Sequence, residues 1–123
     1  MAREDKIFQL AKGYRGRAKN CFSIAIRRVE KGLQHAYRSR RLKKRVARSE
    51  WIMQVRAASL EHELPYARLI HGLQLSNVGL DRRMLAQLAQ TEPYTFRAIV
   101  EEAKGALRRR VLGGVGGNGP AGP

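Results

Sequence analysis

Three histidines, one cysteine and one glycine-bracketed loop are the parts of this sequence whose types could do chemistry. His35, His62 and His71 lie far apart and have no partner cysteines, so no metal-ligand spacing can be written for them and no metal is expected. Glu61-His62-Glu63 sets an imidazole between two carboxylates, but a zinc-protease motif needs the helix to continue, and Leu64-Pro65 stops it. Each histidine reads as an exposed or packed side chain. Cys21 stands beside a basic stretch, the setting of reactive thiols, but on a helix it reads as a small apolar packing residue. Being single, it allows neither an intramolecular disulfide nor a cysteine zinc site, which suits a reducing compartment. Gly13-Tyr14-Arg15-Gly16 is too short to cradle a nucleotide's phosphates and lacks the Lys-Ser or Lys-Thr that should follow. The loop is either a plain helix stop or a bend where bare backbone meets a nucleic-acid strand. In the second case Arg15 and Arg17 sit on phosphates and Tyr14 can stack on a base. No catalytic residue, cofactor or small-molecule substrate is expected, and the chain reads as not an enzyme.

The chemistry present in quantity is positive charge. Lys and Arg number 25 and Asp and Glu 10 among 123 residues, a formal net charge of +15. Self-repulsion on that scale raises the energy of any compact state, and its usual reason is a polyanionic partner. Residues 1–60 hold 17 basic residues against 4 acidic ones; residues 61–123 hold 8 against 6. The first half is therefore the polyanion-binding device, and the second reads as an ordinary small domain. The basic candidates are Lys12, Arg15, Arg17, Lys19, Arg27 and Arg28, then Arg38, Arg40, Arg41, Lys43, Lys44, Arg45 and Arg48. Those last seven fall within eleven positions that contain no acid, and wrap roughly 220° of a helix at about 100° per residue. Leu42, Val46 and Ser49 take the remaining sector. Seven like-charge pairs stand three or four residues apart, among them Arg40 with Lys44 and Arg41 with Lys44. At a few tenths of a kcal/mol each they cost the isolated helix about 2 kcal/mol, so the segment needs phosphates to neutralise it.

The elements that carry these side chains read as helices. Residues 3–12 form a short one with Ile7, Leu10 and Ala11 on one face, stopped by Gly13. From about Arg17 to His62 there is no proline and one glycine, Gly32. Phe22, Ile26, Val29, Leu33 and Ala36 recur there at helical spacing, and Trp51, Ile52, Val55 and Ala58 resume it. One helix of roughly 40 residues, about 60 Å long, exceeds what a chain of this size can cover, so its basic middle is expected to project. Residues 63–110 read as three short helices. Pro65 suits the first turn of one that carries Leu69, Ile70 and Leu73. Asp81 caps another with Met84, Leu85 and Leu88, and Pro93 opens the last, with Phe96, Ile99, Val100, Ala103 and Leu107. Three such helices bury too little alone, and the end of the long helix completes their core. The expected fold is all-α: a long projecting basic helix followed by a small three-to-four-helix domain. Its parts are a basic arm and long helix at 1–62, a small helical domain at 63–110 and a glycine-rich, disordered tail at 111–123.

Two binding classes compete. A basic helix can enter a DNA major groove, as in basic-zipper factors, but those need a sustained apolar heptad repeat after the basic region. Leu64-Pro65 breaks the helix about two heptads after Arg48. A basic helix threading folded RNA needs no dimer, and charge around most of its circumference suits surrounding phosphates. A membrane-surface helix needs a large apolar face, which the most basic segment lacks. No apolar run reaches the roughly 20 residues that span a bilayer, so a soluble protein with no membrane partner is expected. Residues 1–20 are basic enough for an amphipathic targeting helix, but Glu4 and Asp5 count against a standard one.

Several segments carry a specific resemblance. Leu10-Ala11-Lys12-Gly13-Tyr14-Arg15-Gly16-Arg17, His35-Ala36-Tyr37-Arg38-Ser39-Arg40-Arg41, Trp51-Ile52, Leu73 and Asp81-Arg82-Arg83-Met84-Leu85-Ala86 occur in this order over about residues 6–107. In order and spacing they resemble the bacterial-type large-subunit ribosomal protein L20 family. The resemblance implies an all-helical protein with no catalytic residues, whose arm and long helix lie in large-subunit ribosomal RNA and help it fold during assembly. It implies as neighbours the proteins numbered thirteen and twenty-one of the same subunit. Asn20 joins the RNA-binding candidates in the arm, and Arg82 and Arg83, read as exposed beside the Asp81 cap, are those of the second half. The short start before Asp5-Lys6-Ile7, Arg17-Ala18-Lys19-Asn20-Cys21 and Glu92-Pro93-Tyr94-Thr95-Phe96 are more similar to the family's mitochondrial branch. That implies the mitochondrial matrix, with a plastid or the bacterial cytoplasm as the alternative.

Overall fold

The computed structural model of the chain describes residues 2–114, and among them every regular element is helical. In chain order these are α1 (Arg3–Leu10), a 3-10 turn (Gly16–Lys19), α2 (Phe22–Glu61), α3 (Tyr66–Leu75), α4 (Arg82–Thr91) and α5 (Pro93–Gly114). The expected all-α class, with a long helix followed by a small helical domain, is what the chain forms. The long helix starts later than its sequence pattern suggested. Gly16 takes a left-handed φ of +63° and residues 16–19 wind into a 3-10 turn, so α2 begins only after Cys21. The Cys21 carbonyl accepts from the Ala25 amide at 2.7 Å, which opens the α-helical ladder.

The chain divides into two compact units, Met1–Arg45 and Val46–Pro123. This packing boundary lies inside α2, whereas the sequence division into 1–62 and 63–110 follows charge and the Leu64-Pro65 break. In the first unit Ala11, Ala25 and Val29 are buried, with Ile7, Phe8 and Tyr14 packed against them and Phe8 edge-on to Phe22 at 6.2 Å. The apolar periodicity along α2 is buried only as far as Val29. Leu33 is exposed, because the arm that would cover it has already ended.

In the second unit Val55 of α2 joins Leu64, Leu69, Leu73, Leu85, Ala86, Phe96, Val100 and Ala103 in one core, with Trp51 and Ala58 packed on it. The end of the long helix does complete the core. α4 buries Leu85, as its spacing suggested, together with Ala86, whereas Met84 is exposed. Caps set the ends of these helices. Asp81 accepts from the Met84 amide at 2.8 Å, as an N-cap aspartate should. Pro65, with φ −62° and ψ 146°, is the residue before α3 rather than part of its first turn. The end of α2 is a Schellman closure: the Leu64 amide donates to the Ser59 carbonyl at 3.1 Å and the Glu63 amide to that of Leu60 at 3.0 Å. At the end of α3 Val78 and Asn77 repeat it on Leu73 and Gln74. α5 runs through Gly114, so residues 111–114, assigned from sequence to the glycine-rich tail, are helical. Arg108-Arg109-Arg110-Val111-Leu112 tolerates helix well enough to carry the last turn into the first glycines. The rest of that expected tail, 115–123, lies outside the described residues.

Candidate nucleic-acid interface

The arm is built around its two glycines. Gly13 at φ +85° and Gly16 at +63° occupy left-handed backbone that other residues enter at a cost, and together they turn the chain from α1 toward α2. The turn exposes Lys12, Arg15, Arg17, Lys19 and Asn20 while Ala18 is buried beneath them. Tyr14 is shared between the small core and the basic surface. Its half-buried ring packs against the Ala11, Ala25 and Val29 cluster, and its hydroxyl stands 2.8 Å from where a Cβ on Gly32 would be. Gly32 is thus the space that seats Tyr14 on α2. The ring the sequence offered as a base-stacking candidate is therefore half-buried by packing. With Arg15, Arg28, Lys31 and His35 it lines one groove. Lys31 was not singled out from sequence, and His35 only as a metal-ligand candidate without partners. Their signal was helical spacing, since Lys31 follows Arg28 by three positions and His35 follows Lys31 by four. Arg27, with Arg28 and Lys31, lines a second basic groove next to Ile24.

From residue 33 to residue 46 every position of α2 is exposed. That stretch holds Arg38, Arg40, Arg41, Lys43, Lys44 and Arg45 and also Leu33, Tyr37, Leu42 and Val46, so the small apolar sector has no protein cover either. Among the described residues the salt bridges, Lys104 to Glu101 and Arg109 to Glu102, both lie on α5. Tyr37 organises its neighbours. The Arg41 guanidinium lies 4.9 Å from its ring centroid and donates to its hydroxyl at 3.2 Å, and that of Arg40 is 6.0 Å from the ring.

In the second unit Arg48 is exposed on α2 and Arg83 on α4. Arg82 differs from its expected exposure. It is half-buried, and its Nε donates to the Tyr66 hydroxyl at 2.7 Å. The reason is helical register: three and four residues on from Arg82 are Leu85 and Ala86, both buried, so its stem starts on the core side. The histidines serve packing and polar contacts. His62 lies 6.2 Å from the Phe96 ring and His71 pairs with Arg110. Among the described residues no three His, Cys, Asp or Glu side chains converge as metal ligands, and no helix is long and apolar enough to cross a membrane.

A chain built this way has close relatives of known class. The family model described as Ribosomal protein L20 matches residues 1–99. The chain is 52% identical over 108 residues to large ribosomal subunit protein bL20 of Ehrlichia canis, covering 88% of this chain and 87% of that protein. To bL20 of Rhodospirillum rubrum it is 53% identical over 106 residues, 86% of this chain and 85% of the other. The match takes in the arm, the bare basic helix and α3 and α4, and with it the chain belongs to the ribosomal protein L20 family.

Proposed function

We infer that this chain is a structural, non-enzymatic constituent of the large ribosomal subunit that binds large-subunit ribosomal RNA and supports its folding during assembly. The observation that carries this reading is the stretch of α2 from residue 33 to 46, exposed on every side and free of acids. A largely polar helix without protein cover is ordinarily held by opposite-charge pairs; this one holds like charges, and phosphates surrounding it supply the missing counter-charge. The contacts we propose are Lys12, Arg15, Arg17, Lys19 and Asn20 in the arm, Arg27, Arg28, Arg38, Arg40, Arg41, Lys43, Lys44, Arg45 and Arg48 on α2, and Arg82 and Arg83 on α4, with Tyr14 acting by seating the arm. In this division of labour residues 1–62 bind by charge and 63–110 fold as the small domain.

A basic-zipper DNA factor needs the turns after its basic region free to pair with a second helix. Here Val55 is buried in the chain's own core, which favours RNA. For neighbours we propose the large-subunit proteins numbered thirteen and twenty-one, as the family resemblance implies. For compartment we propose the mitochondrial ribosome, on the similarity of residues 17–21 and 92–96 to that branch. The relatives named above are bacterial, and a bacterial cytoplasm is the competing outcome. Competition at about 0.15 M salt between large-subunit ribosomal RNA and random duplex DNA tests the function: RNA is expected to win, and DNA winning would sink it. Fractionation of cells carrying the tagged chain tests the compartment by whether it sediments with organellar or cytoplasmic large subunits.

A further inference from the structure

We propose that Tyr37, with the Arg41 guanidinium laid over its ring, is a stacking platform for one unpaired base of the bound RNA, and that Arg40 and Lys44 hold the phosphates flanking that base. The proposal rests on the RNA-binding reading and adds to it a nucleotide site that charge alone does not demand. A sequence-tolerant base site needs an accessible aromatic face, a planar cation to extend it and nearby positive charge for the backbone. Tyr37 meets the first condition: it is 55% exposed in the middle of the uncovered stretch of α2. Arg41 meets the second. At 4.9 Å from the ring centroid, and tied to the phenol by a 3.2 Å hydrogen bond, its guanidinium is held against the ring before any ligand arrives. Arg40 and Lys44 meet the third, since with Tyr37 and Arg41 they line a single groove on this face of the helix.

The other aromatics do not meet these conditions. Tyr14 lines a basic groove but is half-buried against the small core and, among the described residues, has no guanidinium over its ring; Trp51 packs against the larger core, and Tyr66 accepts from Arg82. Tyr94 is exposed but sits on the nearly neutral half of the chain, two residues from Glu92. Pre-ordering is the physical point. An exposed tyrosine on a helix loses rotamer freedom when a base lands on it, and the bond to Arg41 has already removed part of that freedom. The three cations around the ring repel one another, and phosphates on either side of the base relieve that repulsion.

Two probes of the full chain separate stacking from charge. One is a twelve-nucleotide single-stranded oligouridylate, whose bases are unstacked, with a central 2-aminopurine, whose fluorescence is quenched by stacking. The other is an RNA duplex of twelve base pairs, whose bases are already stacked. With the unaltered chain the single strand should be quenched on binding. Tyr37→Ala should abolish the quench and weaken single-strand affinity about 5- to 100-fold, leaving duplex affinity within about twofold and the salt slope of both unchanged. Tyr37→Phe keeps the ring and should keep most of the quench. Arg45→Ala, off the platform, should weaken both probes together and flatten both salt slopes by about one unit. Tyr37→Ala weakening both probes equally, or leaving the quench intact, overturns the platform while the RNA reading stands. Neither probe binding the unaltered chain overturns the RNA reading and the platform with it. Because Tyr37 is exposed and alanine is the better helix former, circular dichroism of the variant should match that of the unaltered chain; loss of helix there overturns the platform in favour of a structural role.

Discussion

Single residues at the ends of helices set much of the chain's local geometry, and they make the most direct predictions. Glu63 holds a φ of +58° at the close of α2, a conformation that costs a side-chain-bearing residue roughly 1 kcal/mol relative to glycine. It is held there because Leu64, the next residue, is buried and its amide closes the helix on Ser59. Glu63→Gly should therefore raise stability by about 1 kcal/mol, read as an upward shift of the thermal midpoint. Asn77 at +56° does the same for α3, but asparagine tolerates this region, so Asn77→Gly should gain less. Ser59 is fully buried and donates its hydroxyl to the Leu64 carbonyl, locking the same corner from the other side. Ser59→Ala should cost about 1 kcal/mol in urea unfolding, and an unchanged midpoint would show that bond to be worth nothing. None of these positions advertises itself in sequence. Glutamate is a poor left-handed residue, and only the demand that Leu64 reach the core puts it there.

At the level of elements, close approach and charge decide which helices are rigid. A Cβ on Gly72 of α3 would stand 2.7 Å from the carbonyl oxygen and 2.9 Å from the Cβ of Ala103 on α5, so the two helices cross where neither carries bulk. Gly72→Ala should force them apart and destabilise the second unit by about 1–3 kcal/mol. Gly105 on α5 has as its nearest obstacle the flexible Arg109 guanidinium at 3.3 Å, so Gly105→Ala should be neutral or stabilise by up to about 1 kcal/mol. If both substitutions behaved alike in denaturant unfolding, the close crossing would not be the cause. The middle of α2 is the opposite case: it has no packing to hold it and seven like-charge pairs against it. Its amides over residues 36–50 should exchange with solvent quickly in the free chain and slow by one to three orders of magnitude on ribosomal RNA. Exchange already slow without RNA would count against phosphates as the stabilising partner.

For the whole molecule the asymmetry of charge sets the binding behaviour. The first sixty residues hold most of the net positive charge. With about eight phosphate contacts, log affinity for ribosomal RNA should fall against log salt with a slope of about −6 to −7. Replacing Arg41 or Lys44 by Ala should flatten that slope by roughly one unit and weaken different RNA targets alike. A slope near zero, or a loss confined to one RNA sequence, would mean that contacts other than phosphates carry the affinity.

Some of this was legible in the amino-acid order because the forces behind it are local. Helical period, the Asp81 cap, the proline and glycine breaks and the density of Lys and Arg depend on neighbours a few residues away, so the all-α class, the long helix and its basic middle follow from the chain alone. Which ring packs against the protein is not local. Tyr14 and Tyr37 both stand among basic residues; the left-handed turns at Gly13 and Gly16, with the vacancy at Gly32, seat the first, while the second lies on the stretch of α2 that no other element covers. Likewise Arg82 and Arg83 are identical neighbours in sequence, and it is the register of α4 against its core that ties one to Tyr66 and leaves the other exposed. Those choices turn on which surfaces meet at long range, where a rotation of one residue on a helix exchanges core for solvent.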